Sequence, residues 1–262
     1  MFFEFEIKNY SFTDWIAAMP EKINAIFQAD FPPEYLTAEM AEVVCYYCGE
    51  ALDFFPESAR SLSACRRAVI NDGLALKYVP SKHISDELCF LACQKDGLAL
   101  QFVPESMKTL GICKTACEQS STALEYVPES LKTYELCKFC CVDIPDNIRY
   151  VPDELKDEFL CLFCASQDGN LLQYVPEHLR TYAVCVAACR SVRSSIKWVP
   201  AHLISRNLST LACFTEGMNL QFIPSKMRDL GLCRMACHYD KNAFQFVPDD
   251  LKDHPDLAKY KS

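Results

Sequence analysis

Apolar positions along this chain recur in blocks of 24 residues. Each block closes on an aromatic residue, a second apolar residue and a proline, as in "YVP" at 126–128. Pro32, Pro56, Pro80, Pro104, Pro128, Pro152, Pro176, Pro200, Pro224 and Pro248 keep that spacing without one insertion. With each proline numbered slot 0, slot 22 is always aromatic from the second anchor onward: Phe54, Tyr78, Phe102, Tyr126, Tyr150, Tyr174, Trp198, Phe222 and Phe246. Slot 23 is mostly Val, and slot 20 is Leu, Ile or Phe.

Slot 5 fixes the secondary structure. It holds Ser61, Ser85, Thr109, Thr133, Asp157, Thr181, Ser205, Asp229 and Asp253, each a side chain whose oxygen can accept from the unpaired N–H groups at a helix start. Apolar or small residues follow at slots 8, 9, 12 and 13, for example Leu136, Cys137, Cys140 and Cys141, which is one face of an α-helix. The pattern predicts a helix over slots 6 to about 15. A polar turn comes next, often Asp-Gly as at 72–73, 96–97 and 168–169. A shorter helix over slots 17 to 22 is then stopped by the proline, which pushes the residue before it out of the α region. Slots 0 to 4 read as a single tight turn.

Two short helices cannot enclose a core, so each block must bury its apolar face against the next. The predicted fold is all-α, an α-solenoid of nine 24-residue two-helix repeats over 32–247. The first repeat reads as degenerate, with Ala41 at slot 9 and its longer helix shifted. Residues 1–31 lack the period and carry Phe2, Phe3, Phe5, Phe12 and Trp15, which suits an N-terminal cap. Residues 248–262 start another repeat and turn polar, which suits a C-terminal cap and tail. A leucine-rich-repeat-like binding protein is the rival architecture, but its Asn ladder and L-x-L strand core are missing. The slot 12 alanines, such as Ala68, Ala92 and Ala116, also favour closely packed helices over strands.

Composition narrows the function. Of 262 residues half are hydrophobic, and the net charge is −9, an ordinary globular balance that argues against nucleic acid or an anionic membrane as partner. Glu4 and Glu6 interrupt the apolar amino terminus where a signal peptide needs an unbroken run. No later segment reaches the roughly 18 apolar residues of a membrane span. The expected location is a cytosol, either that of the producing cell or that of a host cell it enters.

Seventeen cysteines raise the question of metal or redox chemistry. Slot 9 reads Cys65, Cys89, Cys113, Cys137, Cys161, Cys185, Ser209, Cys233, and slot 13 reads Val69, Cys93, Cys117, Cys141, Ala165, Cys189, Cys213, Cys237. Serine, valine and alanine substitute within the same rows. A metal ligand cannot be replaced by valine, whereas a small core residue can. Cysteine is therefore expected as core filler, with no metal and no cofactor. The alternative is a thiol-rich metal-binding or redox protein. It rests on the C-x-x-C spacings at Cys45/Cys48 and Cys161/Cys164 and on a cluster of Cys137, Cys140, Cys141, Cys161 and Cys164.

No phosphate loop, H-E-x-x-H or G-x-S-x-G motif occurs, and the array has no insertion to carry a site. Of the five histidines, His178 and His202 share slot 2, but they stand alone rather than facing a run of acids. The expectation is a non-enzyme that binds another protein. Opposite the buried arc, slots 6, 10 and 14 would be polar if merely solvated, yet they include Phe90, Tyr134, Leu162, Tyr182, Val186 and Phe214. These six are the partner-binding candidates, with packing on the neighbouring short helix or self-association as the competing explanations.

The best copies, "LALQFVPESMKTLGICKTAC", "LALKYVPSKHISDELCFLAC" and "NLLQYVPEHLRTYAVCVAAC", resemble units of the tandem-repeat family catalogued as domain of unknown function 4116 (DUF4116). The resemblance spans about residues 52 to 253. This sequence places Cys where that family more often has Val or Ala. Its members occur in bacteria, including intracellular pathogens that inject effectors, and in large DNA viruses. The resemblance implies an interaction scaffold of unknown target, and by analogy a translocated bacterial effector or an adaptor or immunity protein.

Overall fold

A computed structural model describes residues 36–261. The candidate cap at 1–31 lies outside the described residues. The chain divides into two compact units, Met1–Leu131 and Lys132–Ser262, and each is taken by itself.

The first unit contains α1 (Ala38–Tyr47), α2 (Leu62–Asn71), α3 (Asp86–Lys95) and α4 (Leu110–Gln119). The second contains α5 (Tyr134–Asp143), α6 (Glu158–Gln167), α7 (Tyr182–Ser191), α8 (Arg206–Cys213) and α9 (Leu230–Tyr239). Among the described residues there is no strand, so the leucine-rich-repeat-like alternative is overturned. Each unit is a stretch of helical-repeat solenoid.

The starts of the helices follow from the slot 5 residues. Ser61 accepts from the Ala64 amide at 3.1 Å, Asp157 from Leu160 at 2.7 Å, and Asp229 from Leu232 at 2.9 Å, each cap worth about 1 kcal/mol. Thr37 does the same for α1, so α1 occupies slots 6 to 15 like its neighbours. The expected shift of the first repeat is corrected: Ala41 is simply a smaller residue in the cysteine row, and it is fully buried. Asp253 is a second correction. No α-helix follows it. The chain forms a 3-10 helix over Pro255–Tyr260 with His254 as its cap, while Asp253 pairs with Lys261 at 2.5 Å. Leu257 and Tyr260 are buried there.

The shorter helix of each repeat is a 3-10 helix over slots 17 to 22, for example Gly73–Tyr78 and Gly169–Tyr174, and slots 1 to 3 form one further 3-10 turn. The slot 16 residue joins the two longer elements. Asp72 donates its amide to the Ala68 carbonyl at 2.8 Å, closing α2, and its carboxylate accepts from the Leu74 amide at 2.9 Å, opening the 3-10 helix. Where slot 17 is glycine, as in five of the repeats, the backbone approaches too closely for a side chain. A Cβ on Gly97 would lie 2.2 Å from the Ala116 carbonyl oxygen of the next helix, and no glycine among the described residues has positive φ.

A further contact crosses six such pairs of elements, and Ile84 and Ile204 take its slot 4 position in two others. The slot 4 cation donates to the carbonyl of the slot 22 aromatic eighteen residues on: Arg60 to Tyr78 and Lys108 to Tyr126 in the first unit, at 2.8 and 3.0 Å. In the second unit Lys132, Lys156, Arg180 and Arg228 reach Tyr150, Tyr174, Trp198 and Phe246 at 2.6 to 2.8 Å. Arginine does more than lysine. Arg180 also donates to the carbonyls of Val175 and Gln173 in the preceding 3-10 segment, so one guanidinium fork ties two successive segments by their backbones. A hydrogen bond from a charged donor to a partly buried carbonyl is worth about 1.5–3 kcal/mol. Arg180→Met should therefore lower stability by about 2–4 kcal/mol, and Arg180→Lys by about half as much, because lysine keeps only the bond to Trp198. Urea unfolding midpoints of the two variants check the order; equal midpoints would contradict it.

Candidate functional site

Two features of the sequence pointed to chemistry, the thiols and the outward stripe. The thiols lie inside. Among the described residues every cysteine is buried except Cys48, which is half-buried. Burial is the first cause that raises their pKa: the Cys65, Cys89, Cys113, Cys185 and Cys237 thiols are pushed up to about 11. Cys45, Cys93, Cys161, Cys189, Cys213 and Cys233 reach about 12. Cys141 is raised too, first by a hydrogen bond with the Cys164 thiol and then by burial.

Slot 9 has a use for sulfur beyond size. The Cys65, Cys185 and Cys233 thiols donate to the carbonyls of Arg60, Arg180 and Arg228 at 3.7, 3.7 and 3.5 Å. These are the slot 4 residues whose side chains hold the aromatic carbonyls. The thiol is thus a weak internal donor to the turn that carries the cation.

The structure places Cys161 and Cys164 in the middle of α6, both buried. It gathers no metal site from Cys137, Cys140, Cys141, Cys161 and Cys164. Among the described residues no group of three or more His, Cys, Asp or Glu side chains is positioned to hold an ion.

The outward stripe divides. Phe90 on α3, Tyr182 on α7 and Phe214 just after α8 are exposed, at 40, 45 and 46 %. Tyr134, Leu162 and Val186 are half-buried. Phe90 belongs to the first unit and the other five to the second. The two slot 6 tyrosines have a structural partner that sequence reading missed. The Tyr134 hydroxyl donates to Asp157 at 2.8 Å, and the Tyr182 hydroxyl lies 3.1 Å from the Ser205 hydroxyl. Both partners are helix caps of the following repeat. Arg206 uses the same slot to pair with Asp229. In these repeats of the second unit slot 6 therefore fastens a helix to the next start, and its tyrosine rings flank the outer face.

That face is wider than slots 6, 10 and 14. Phe159 at slot 7, Phe139 at slot 11 and Tyr239 at slot 15 are also exposed. The Lys138 ammonium sits 5.7 Å from the Tyr134 ring and 5.0 Å from the Phe159 ring, and Phe214 meets Tyr239 edge to face at 5.2 Å. The signal was a run of apolar residues on both flanks of the stripe. A solvated helix would have alternated them with charge.

Charge is uneven along the chain. Residues 1–131 hold 19 acidic and 10 basic side chains, whereas residues 132–262 hold 16 of each. The whole net charge of −9 thus sits in the first half. Several of the second half's cations are committed to backbone carbonyls through the slot 4 contacts.

A family model described as Domain of unknown function (DUF4116) matches residues 85–132 and 134–180. These stretches are DUF4116 repeats. Each match spans two of the 24-residue periods, opening at or beside the slot 5 cap and closing at or beside the slot 4 cation. No curated protein and no solved structure matches the chain. The helices outside the two DUF4116 matches, α1, α2, α7, α8 and α9, carry the same slot 5 caps.

Two outcomes follow from the thiol environment. Native protein treated with an alkylating agent near pH 8 should react fast at Cys48 and, among the other cysteines of residues 36–261, only on unfolding, as peptide mass spectrometry reads; fast labelling of Cys161 or Cys164 would contradict the burial. The pH dependence has a definite sign. A thiol that ionises near 9 in the unfolded chain and near 11–12 when folded binds more protons in the folded state between those values. Stability is then complete below about pH 9 and falls from there to about pH 12. Thermal midpoints across that range should decrease, and a flat profile would contradict the assignment.

Proposed function

We propose that this DUF4116-repeat protein is a non-enzymatic scaffold that binds another protein through the outer helix face of its second unit, with Tyr182 and Phe214 as contact residues. The observation that carries the reading is the exposure of aromatic side chains on that face, from Phe139 and Phe159 to Tyr182, Phe214 and Tyr239. Scattered single exposures are ordinary on any soluble surface, whereas aromatics clustered on one array face favour an interface. The acidic first half and the occupied slot 4 cations speak against nucleic acid. Among the described residues no helix is long and apolar enough to cross a membrane. The location in this reading is a cytosol, and the roles it admits are a translocated bacterial effector or an adaptor or immunity protein.

The test is recovery of partner from the producing or infected cell, comparing wild type with Tyr182→Ala plus Phe214→Ala. The double variant should lose at least ten-fold in recovered partner while keeping its circular dichroism spectrum. Unchanged recovery would remove this face as the binding surface. The identity of the recovered protein, host or own-cell, separates the effector role from the adaptor role.

A further inference from the structure

The repeat that begins at Pro200 departs from its neighbours in four ways, all within or beside one helix. Ile204 stands at slot 4 in place of a cation. Ser209 stands in the cysteine row, and its hydroxyl donates to the Ser205 carbonyl at 2.9 Å, the same oxygen that accepts the Ser209 amide at 2.9 Å; such back-bonding loosens a helix. α8 has eight residues where every other α-helix described has ten. Thr215 has φ 69°, the one non-glycine residue in the left-handed region among those described, a conformation that costs a threonine free energy.

Length does not explain the short helix, since this repeat has the same 24 residues as the rest. Asn219 does not explain it either. Asn147 occupies the same slot and donates to the Cys140 carbonyl at 3.0 Å, yet Ile144 still donates its amide to that carbonyl at 2.9 Å and α5 keeps ten residues. An aromatic at slot 14 is also insufficient, because Tyr46 holds that slot in a full-length α1. What sets this repeat apart is Tyr239 on the following helix, whose ring meets Phe214 at 5.2 Å and 70°.

The backbone records the exchange. In α7 the Ala188 carbonyl accepts the slot 16 amide of Val192 at 2.8 Å, and in α9 Ala236 accepts Asp240 at 2.9 Å. In α8 the ladder stops at Phe214, which donates to Thr210 at 3.0 Å. The Ala212 carbonyl is held by the Asn219 side-chain amide at 2.8 Å, and the Glu216 carboxylate accepts from the same amide nitrogen at 3.1 Å.

We infer that Phe214–Glu216 is a two-state strap. In one state, the one described here, the strap is unwound and Phe214 stacks on Tyr239. In the other it winds into the last turn of a ten-residue helix, Glu216 donates to Ala212, Thr215 returns to the right-handed region, and Phe214 leaves Tyr239. One helical turn is exchanged for one aromatic pair, so a ligand or substitution that touches either ring shifts the balance. The strap stands independently of the partner-binding reading, since it operates in the protein alone.

Tyr239→Ala removes the stacking partner from an exposed position. Thr215→Ala raises the helix propensity of the strap without touching either ring. Both should move the Cα chemical shifts of Phe214, Thr215 and Glu216 to helical values and slow exchange of the Glu216 amide at least ten-fold. Wild type should show non-helical shifts at the same three residues and fast exchange of the Glu216 amide. Unchanged shifts and exchange in both variants, or a helical strap already in wild type, would overturn the inference.

Discussion

Gly97 brings its backbone against the Ala116 carbonyl so closely that a Cβ would lie 2.2 Å from that oxygen. The same approach recurs at Gly73 against Ala92, and in the second unit at Gly169 against Ala188 and Gly217 against Ala236. Where slot 17 is glycine, the 3-10 segment of one repeat lies on the helix of the next with no room for a side chain between them, whereas Ser121, Pro145, Arg193 and Lys241 fill that slot in the other repeats. Much else follows from this distance. The helix face beneath must be built from residues of alanine or cysteine size, which is why slots 12 and 13 hold little else. The helix must also begin and end on fixed residues, because a slip of one position would present a larger side chain to the incoming backbone.

The cysteines are one answer to that constraint and the slot 4 cations are another. Sulfur fills slightly more volume than a methyl group and supplies a weak donor, used by Cys65, Cys185 and Cys233 on the turn carbonyl. The cation on that turn then crosses to the carbonyl ending the next 3-10 helix. A 3-10 helix leaves its last carbonyls unpaired, and a lysine or arginine side chain is long enough to reach one while its stem stays buried. Lys108 and Lys156 are 6 and 5 % exposed along the side chain, so these charges hold the array together instead of facing a ligand.

Much of this was legible as pattern. The caps at slot 5 fixed the helix starts because their chemistry is local, and the bounds of slots 6 to 15 and 17 to 22 follow from cap and proline. What escaped reading depended on partners far along the chain. The slot 4 row is visible as Arg60, Lys108, Lys132 and their kin, but its acceptor is a backbone carbonyl, which no residue type announces. Tyr134 and Tyr182 looked like free surface until their hydroxyls met caps 23 residues away. The short α8 depends on Tyr239 in the next repeat, and Ala41 looked like a defect only because cysteine dominates its row. On the outer face, periodicity named the middle of the exposed arc and missed its flanks at Phe139, Phe159 and Tyr239.

A surface of this kind binds by what it leaves uncovered. The repeats spend their thiols and many of their cations on one another, and aromatic side chains remain outside. The account stands on the thiols serving as packing, and the chain already contains the residues that would replace them, Ser209 in one row and Val69 and Ala165 in the other. The most direct measurement is the helical circular dichroism signal and thermal midpoint, in reductant and chelator, of a variant carrying alanine at Cys137 and Cys161 and valine at Cys141 and Cys189. Native helix content with a cooperative transition is the expected result. Loss of the fold, or a metal-dependent transition in the unmodified protein that the variant lacks, would contradict it.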